Sequence, residues 1–224
     1  MPLLDCLLAL IAPHDCLVCG AEGSLLCLWC TPDAFPALPS RCYRCKRLTS
    51  DFALCDRCKR QTPLRHVWVC TDYDHTAKAL LLHYKFGRAQ AAATNVAAAL
   101  DETLPYLPPK TLLVPVPTAT SRVRQRGYDQ AVLLARQLAQ RRHLNCVRAV
   151  THLSQSRQVG ANRNQRLAQL KDVFVVTKPG LIKGMEVLVV DDVVTTGATL
   201  EAMARVLKQA GAKSVQAVAF AQKQ

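Results

Sequence analysis

The chain has 224 residues and a mass of 24.6 kDa; half its residues are hydrophobic and a fifth are charged. That composition suits one medium globular domain with a small appendage and excludes a disordered polyelectrolyte. No apolar run approaches 18 residues, so no transmembrane helix is expected. Two features stand apart: 11 cysteines and a formal net charge of +13.

The first 15 residues are apolar but lack a basic n-region and a small-residue cleavage site. They read as a short amphipathic helix with Leu3, Leu4, Leu7, Leu8 and Ile11 on one side, not as a signal peptide. Eight cysteines follow in four C-x-x-C pairs. Cys16, Cys19, Cys27 and Cys30 give C-x2-C-x7-C-x2-C; Cys42, Cys45, Cys55 and Cys58 give C-x2-C-x9-C-x2-C. A C-x-x-C turn puts two sulfurs on one side of a tight loop, and two such turns complete a tetrahedral four-thiolate site. The spacing predicts two structural zinc ions. Sequential sites suit the short loops, and interleaved ones are the alternative. A long cysteine-poor segment follows, so bound zinc in a reducing cytoplasm fits better than a disulfide framework. Cys6, Cys70 and Cys146 are isolated and read as small buried hydrophobes.

Prolines at 32, 36, 39 and 63 give this first part a loop-rich texture with little core, and it needs metal to stay folded. A boundary is expected where the cysteine pairs stop, with residues 1–62 as N-terminal helix plus double zinc ribbon and 63–224 as the second domain. Residues 65–224 carry 22 basic and 10 acidic side chains, so the positive excess belongs to the second part.

From residue 66 onward strand-like and helix-like stretches alternate. HVWVCTDYD reads as a strand or hairpin arm, TAKALLLHYK and AQAAATNVAAALDETL as helices, and TLLVPVP as a short strand. DQAVLLARQLAQRR reads as a helix capped by Asp129. DVFVV is a brief strand, EVLVVDD a buried one, TLEAMARVLKQAG a helix ending at Gly211, and SVQAVAF a final strand. Such alternation implies an α/β domain with a parallel sheet.

The stretch Val187–Leu200 is the most informative. Four apolar residues enter a buried strand, Asp191 and Asp192 sit at its C-terminal end, and Thr195, Thr196, Gly197, Ala198 and Thr199 lead into a helix. In open α/β sheets ligands bind outside the carboxyl ends of strands. A small-residue loop at a helix N-terminus offers N–H groups and hydroxyls to a phosphate. Adjacent carboxylates can accept two neighbouring ribose hydroxyls. The pattern therefore predicts a ribose-plus-5′-phosphate site.

Val187–Thr199 resembles the 5-phosphoribosyl-1-pyrophosphate (PRPP) signature of type I phosphoribosyltransferases. Val114-Pro-Val-Pro117 followed by Arg122–Gln130, RVRQRGYDQ, is similar to a block of the ComF/GntX family, as is Leu81–Arg88, LLHYKFGR. Gln158, Arg166 and Phe174 stand where that family has Q, R and F. Asp129, in place of the usual Asn, and Gln169, near an expected Asn, depart from the pattern. The resemblance implies a type I phosphoribosyltransferase-like domain behind a Cys-rich ribbon, and a role in DNA uptake or utilisation during natural competence. It implies that the loop after Pro117 lies over the pyrophosphate, with Lys85, Arg122, Arg124 and Arg126 as its cationic candidates. It also implies that Mg2+ bridges pyrophosphate and ribose oxygens. Turnover with a nitrogen acceptor and PRPP binding without turnover both remain open, and a purine-salvage enzyme is the weaker third reading.

Between Arg122 and Arg166 there are ten arginines, no lysine and one acid, Asp129. Such a stretch can form a groove for single-stranded DNA. Arg136, Arg141 and Arg142 are the nucleic-acid candidates, and Tyr128 and His143 the stacking ones. Proteins of DNA uptake, including helicases, are the expected partners.

Overall fold

The computed structural model describes residues 14–86, 89–153 and 174–223. The expected N-terminal helix, Cys6, Gly87, Arg88, Gln158, Arg166 and Gln169 lie outside the described residues.

The cysteine-rich part contains one short helix, α1 (Thr31–Ala34), and a 3-10 turn at Cys58–Arg60. Then come β1 (Leu64–Asp72), α2 (His75–Phe86), α3 (Ala89–Thr103), β2 (Thr111–Pro115), α4 (Thr120–Arg126), α5 (Gln130–Arg142), β3 (Asn145–Cys146), β4 (Val150–His152), β5 (Phe174–Val176), α6 (Pro179–Ile182), β6 (Glu186–Val194), α7 (Ala198–Gln209) and β7 (Ser214–Gln222). Five strands form a parallel sheet in the order β1-β7-β6-β2-β3.

The strands bury both faces, as their continuous apolar runs require. Side-chain alternation sends Leu188, Val190, Val218, Phe220 and Trp68 to one face, where they meet Leu80, Tyr84, Val96, Leu100, Leu134 and Leu138 of α2, α3 and α5. Val187, Val189, Val215, Ala217 and Val67 point to the other face, against Leu200, Met203 and Leu207 of α7. The two cysteine knuckle pairs divide between these cores. Leu25 and Leu26 join the first, where Phe35 meets Phe220 edge-to-face at 4.9 Å. Tyr43 and Leu54 join the second.

Two expectations are corrected. The DVFVV strand is not in the parallel sheet: β5 pairs antiparallel with β4 in a separate ribbon. A three-residue strand has too little pattern to announce its partner. The segment after Pro117 is not all loop either, because Thr120–Arg126 forms the helix α4. It buries no residue, so no apolar periodicity marks it in the sequence.

Candidate functional site

The sulfurs of Cys16, Cys19, Cys27 and Cys30 lie within 4.8 Å of one another, and so do those of Cys42, Cys45, Cys55 and Cys58. The sites are therefore sequential, not interleaved. Sulfurs at tetrahedral corners about 2.3 Å from a zinc ion stand about 3.8 Å apart. Cys19–Cys27 at 3.7 Å and Cys45–Cys55 at 3.6 Å fit that spacing. Burial works against the Cys16 thiolate, but N–H groups of Cys19, Cys27 and Val18 outweigh it and draw the pKa down to about 6. Its neighbour Cys30 is pushed up to about 12, first by the sulfur of Cys27 and then by that of Cys19. Four sulfurs this close need a cation to carry their negative charge together. Both groups can hold a metal ion, and their donor set fits zinc with no open coordination position.

The second constellation sits at the carboxyl end of the parallel sheet. β6 runs between β2 and β7 and carries Asp191 and Asp192 just past the last β2 pair, Pro115–Val190, with Val193 and Val194 continuing the strand beyond the expected EVLVVDD. Its apolar half is pinned in both cores, so the carboxylates are placed by buried neighbours. Burial and then the Asp192 charge hold the Asp191 carboxyl well above the usual carboxylate range. Asp192 meets Lys85 Nζ at 2.7 Å. Lys85 comes from the end of α2, which is fastened to the start of α5: the Tyr84 hydroxyl donates to the Gln130 carbonyl, and the Tyr128 hydroxyl donates to the Tyr84 carbonyl. Asp129 caps α5 as expected, accepting from Val132 N at 3.4 Å, and also accepts from Thr118 Oγ1 at 3.1 Å.

A cleft of 730 Å³ opens over this edge. Asp191, Asp192, Lys85, Arg122, Arg126, Ala198 and Thr199 line it, whereas Arg124 does not. Thr195 and Thr196 are exposed beside it. His152 and Phe174 from the β4–β5 ribbon also line it, edge-to-face at 5.5 Å. The Nδ1 of His152 is buried without a partner among the described residues.

Gly197 has a different setting from the one its place in the motif suggests. Its φ of +79° favours glycine, and its Cα is backed by the ring of Tyr43. A Cβ there would stand 2.8 Å from Tyr43 Cδ2 and closer still to Cε2. Tyr43 lies between the ligands Cys42 and Cys45, and its hydroxyl donates to Glu201 Oε1 at 2.7 Å. Arg44 Nε stands 3.1 Å from the same oxygen, and Arg205 stands 3.2 Å from the other. Burial and then Glu201 hold the Tyr43 phenol far above its usual range, so it stays a donor. Sequence reasoning missed Tyr43, Arg44 and Glu201. A carboxylate in the first turn of a helix is ordinary, and nothing in the pattern pairs residues 158 positions apart.

The three nucleic-acid candidates are not equivalent. Arg142 donates to the carbonyls of Leu104 and Pro105 at 2.8 Å each, and also to the carbonyl and carboxylate of Asp101. It closes the C-terminal end of α3. Arg141 reaches Asp101 at 3.4 Å and is otherwise exposed. Arg136 is exposed and lines a shallow depression with Gln140, His143 and Asn145. Tyr128 is partly buried on the α2 end, while His143 is exposed.

A parallel sheet with paired acids and a small-residue loop at its carboxyl edge, carrying two four-cysteine groups ahead of it, defines a phosphoribosyltransferase-like protein with a cysteine-ribbon module. The Phosphoribosyl transferase domain family matches residues 123–224. Competence protein ComFC of Bacillus subtilis (strain 168) is 31% identical over 180 residues, 76% of this chain and 72% of its own. DNA utilization protein YhgH of Escherichia coli (strain K12) is 31% identical over 175 residues, 72% of this chain and 74% of its own. Competence protein F of Haemophilus influenzae is 24% identical over 216 residues, 85% of this chain and 93% of its own. The chain belongs to the ComF family. Among solved structures, glutamine PRPP amidotransferase from B. subtilis superposes with a TM-score of 0.45 at 14% identity, covering 61% of this chain and 30% of that enzyme. No helix among the described residues is long and apolar enough to cross a membrane.

Proposed function

We propose that this is a cytoplasmic ComF-type protein of DNA uptake or utilisation that binds PRPP with Mg2+ in the cleft and handles single-stranded DNA on its arginine-rich face. The observation that carries the PRPP reading is the convergence of Asp191, Asp192, Lys85, Arg122, Arg126 and Thr199 on one cleft at the carboxyl edge of the sheet. Asp191 and Asp192 accept the ribose hydroxyls. Thr195–Thr199 cradle the 5′-phosphate, and Lys85, Arg122 and Arg126 face the pyrophosphate. Asp191 and Asp192 would also hold Mg2+, an oxygen-seeking ion that would supply neutralising charge for the phosphates. Two zinc ions fill the four-cysteine groups, and residues 1–62 and 63–224 act as ribbon and PRPP-binding units. The DNA reading is supported by the exposed Arg136 and Arg141, and by the names of the ComFC and YhgH relatives.

A second reading, transfer of phosphoribose to a nitrogen acceptor, is favoured by the aromatic side chains in the cleft. His152 and Phe174 line the same cleft as the acid pair and offer aromatic surface to a planar acceptor. In that case pyrophosphate leaves through a loose, charge-separated transition state, and the protein acts by positioning and charge stabilisation. Pyrophosphate release is followed from zinc-loaded protein given PRPP and Mg2+, with and without single-stranded DNA and free bases. Release that depends on one acceptor selects the enzyme; tight PRPP binding without release selects the accessory protein. No PRPP binding by calorimetry refutes both.

A further inference from the structure

The second cysteine knuckle is built into the wall of the phosphate loop. Tyr43 and Arg44 are the two residues between the ligands Cys42 and Cys45, so holding both sulfurs fixes the backbone that carries them. Tyr43 is 5% exposed and its ring lies on Gly197, the last residue before α7. Its hydroxyl and the Arg44 guanidinium converge on one oxygen of Glu201, which is itself 7% exposed. Glu201 N donates to Gly197 O at 2.9 Å, closing the first turn after the loop. A further tether runs from Lys46 Nζ to Gln222 Oε1 at 3.0 Å, at the end of β7. Among the described residues the first knuckle pair has no such relation to the loop: its Leu25 and Leu26 pack in the core on the opposite face of the sheet.

We infer that Tyr43, Arg44 and Glu201 are positioning residues that couple the Cys42–Cys58 metal site to the phosphate loop. Metal held by Cys42, Cys45, Cys55 and Cys58 stiffens Gly197–Glu201 for a phosphate, and a phosphate-bearing ligand on the loop tightens the hold on that metal. The ligand half rests on the PRPP reading above; the knuckle-to-loop half does not. Two sites that bias one element must influence each other equally, and such couplings are commonly worth about 5- to 150-fold in affinity. The Cys16–Cys30 site is the internal control.

The test uses the full-length protein with both sites loaded with zinc. A chelator strips the metal while a metallochromic dye records its release, with and without PRPP and Mg2+. A variant combining Cys16→Ser and Cys19→Ser identifies which phase belongs to the second site. PRPP is expected to slow that phase by about fivefold or more, and to leave the first-site phase unchanged. Tyr43→Ala should abolish the slowing and weaken PRPP binding by a similar factor. Tyr43→Phe and Glu201→Gln, which keep the packing, should each show a smaller effect in the same direction. Amide exchange over residues 198–204 should rise when second-site zinc is removed, with no ligand present. Unchanged exchange there overturns the coupling whatever PRPP does. Normal PRPP binding that neither Tyr43 variant nor Glu201→Gln alters also overturns it. Raised exchange in a protein that does not bind PRPP supports the knuckle-to-loop coupling and overturns the PRPP reading instead.

Discussion

Lys85 Nζ stands 2.7 Å from Oδ2 of Asp192, so the cation near the end of α2 rests on the second of two adjacent carboxylates in the last four residues of β6. The pair is about four-fifths buried on both sides, which keeps water from weakening it. Among the described residues Asp191 has no cation in comparable contact. The two acids are therefore electrostatically unequal: Asp192 is paired, while burial and the Asp192 charge hold the Asp191 carboxyl well above the usual carboxylate range.

Asp191→Asn combined with Asp192→Asn should abolish PRPP binding and leave the fold intact. Each lost charge-assisted hydrogen bond costs about 1.5–3 kcal/mol, so the pair lowers affinity by at least two orders of magnitude. Calorimetry on a variant with native circular dichroism checks this, and unchanged affinity sinks the site assignment.

The raised pKa of Asp191 also fixes a sign for stability. In the ligand-free protein the folded state holds this proton more tightly than the unfolded chain does. The stabilising contribution is complete below the unfolded value of about 3.9 and is lost as pH rises through the folded value. Asp191→Asn alone should therefore raise the melting temperature at neutral pH and flatten its decline from acid to neutral, while weakening PRPP binding. A variant that melts lower than the parent at pH 7.5 contradicts this account.

Metal analysis of protein purified without chelator should return two zinc ions per chain. Replacing Cys16 and Cys19 by Ser should leave one, and replacing Cys55 and Cys58 by Ser should leave the other. Sequential sites require this independence; interleaved sites would lose both ions in either variant. Acid should release zinc, because protons compete for the thiolates.

Much of this site was legible because its signal is local. The strand Glu186–Val194, its acid pair and the loop into α7 lie within one continuous stretch, and the cap at Asp129 adjoins the helix it serves. The C-x-x-C spacings likewise fix sulfurs over a few residues. What stayed hidden depends on distant partners. Arg142 reads as one more basic residue until Asp101, 41 positions earlier, shows that it closes α3. Gly197 reads as one more small residue of the phosphate loop until Tyr43 is found on it. The exposed helix α4 has no apolar stripe to betray it.

Arg142→Gln should lower stability, because the carbonyls of Asp101, Leu104 and Pro105 and the Asp101 carboxylate lose a charged donor. The loss should be about 1.5–3 kcal/mol, read as a lower urea midpoint with unchanged slope. Arg136→Gln, at an exposed position, should leave the midpoint within about 0.5 kcal/mol of the parent. Equal midpoints for the two variants would mean that the Arg142 contacts add nothing.

That difference decides which arginines can report on DNA. Arg136 and Arg141 are exposed on and at the end of α5, away from the acid pair, whereas altering Arg142 mixes binding with stability. If this face takes single-stranded DNA, log affinity should fall with log salt by about 0.7 per phosphate neutralised. Arg136→Gln with Arg141→Gln should weaken binding about equally for all sequences and make the slope shallower by about 1.4, one phosphate per arginine. PRPP binding should survive. If the arginines serve only pyrophosphate, the pattern reverses: Arg122→Gln or Arg126→Gln weakens PRPP binding, and the parent protein has no DNA affinity near physiological salt. Gel-shift titrations at several salt concentrations, beside PRPP calorimetry on both variant sets, separate the two. A parent protein with no DNA affinity even at low salt removes the DNA-handling role and leaves PRPP chemistry to carry the function.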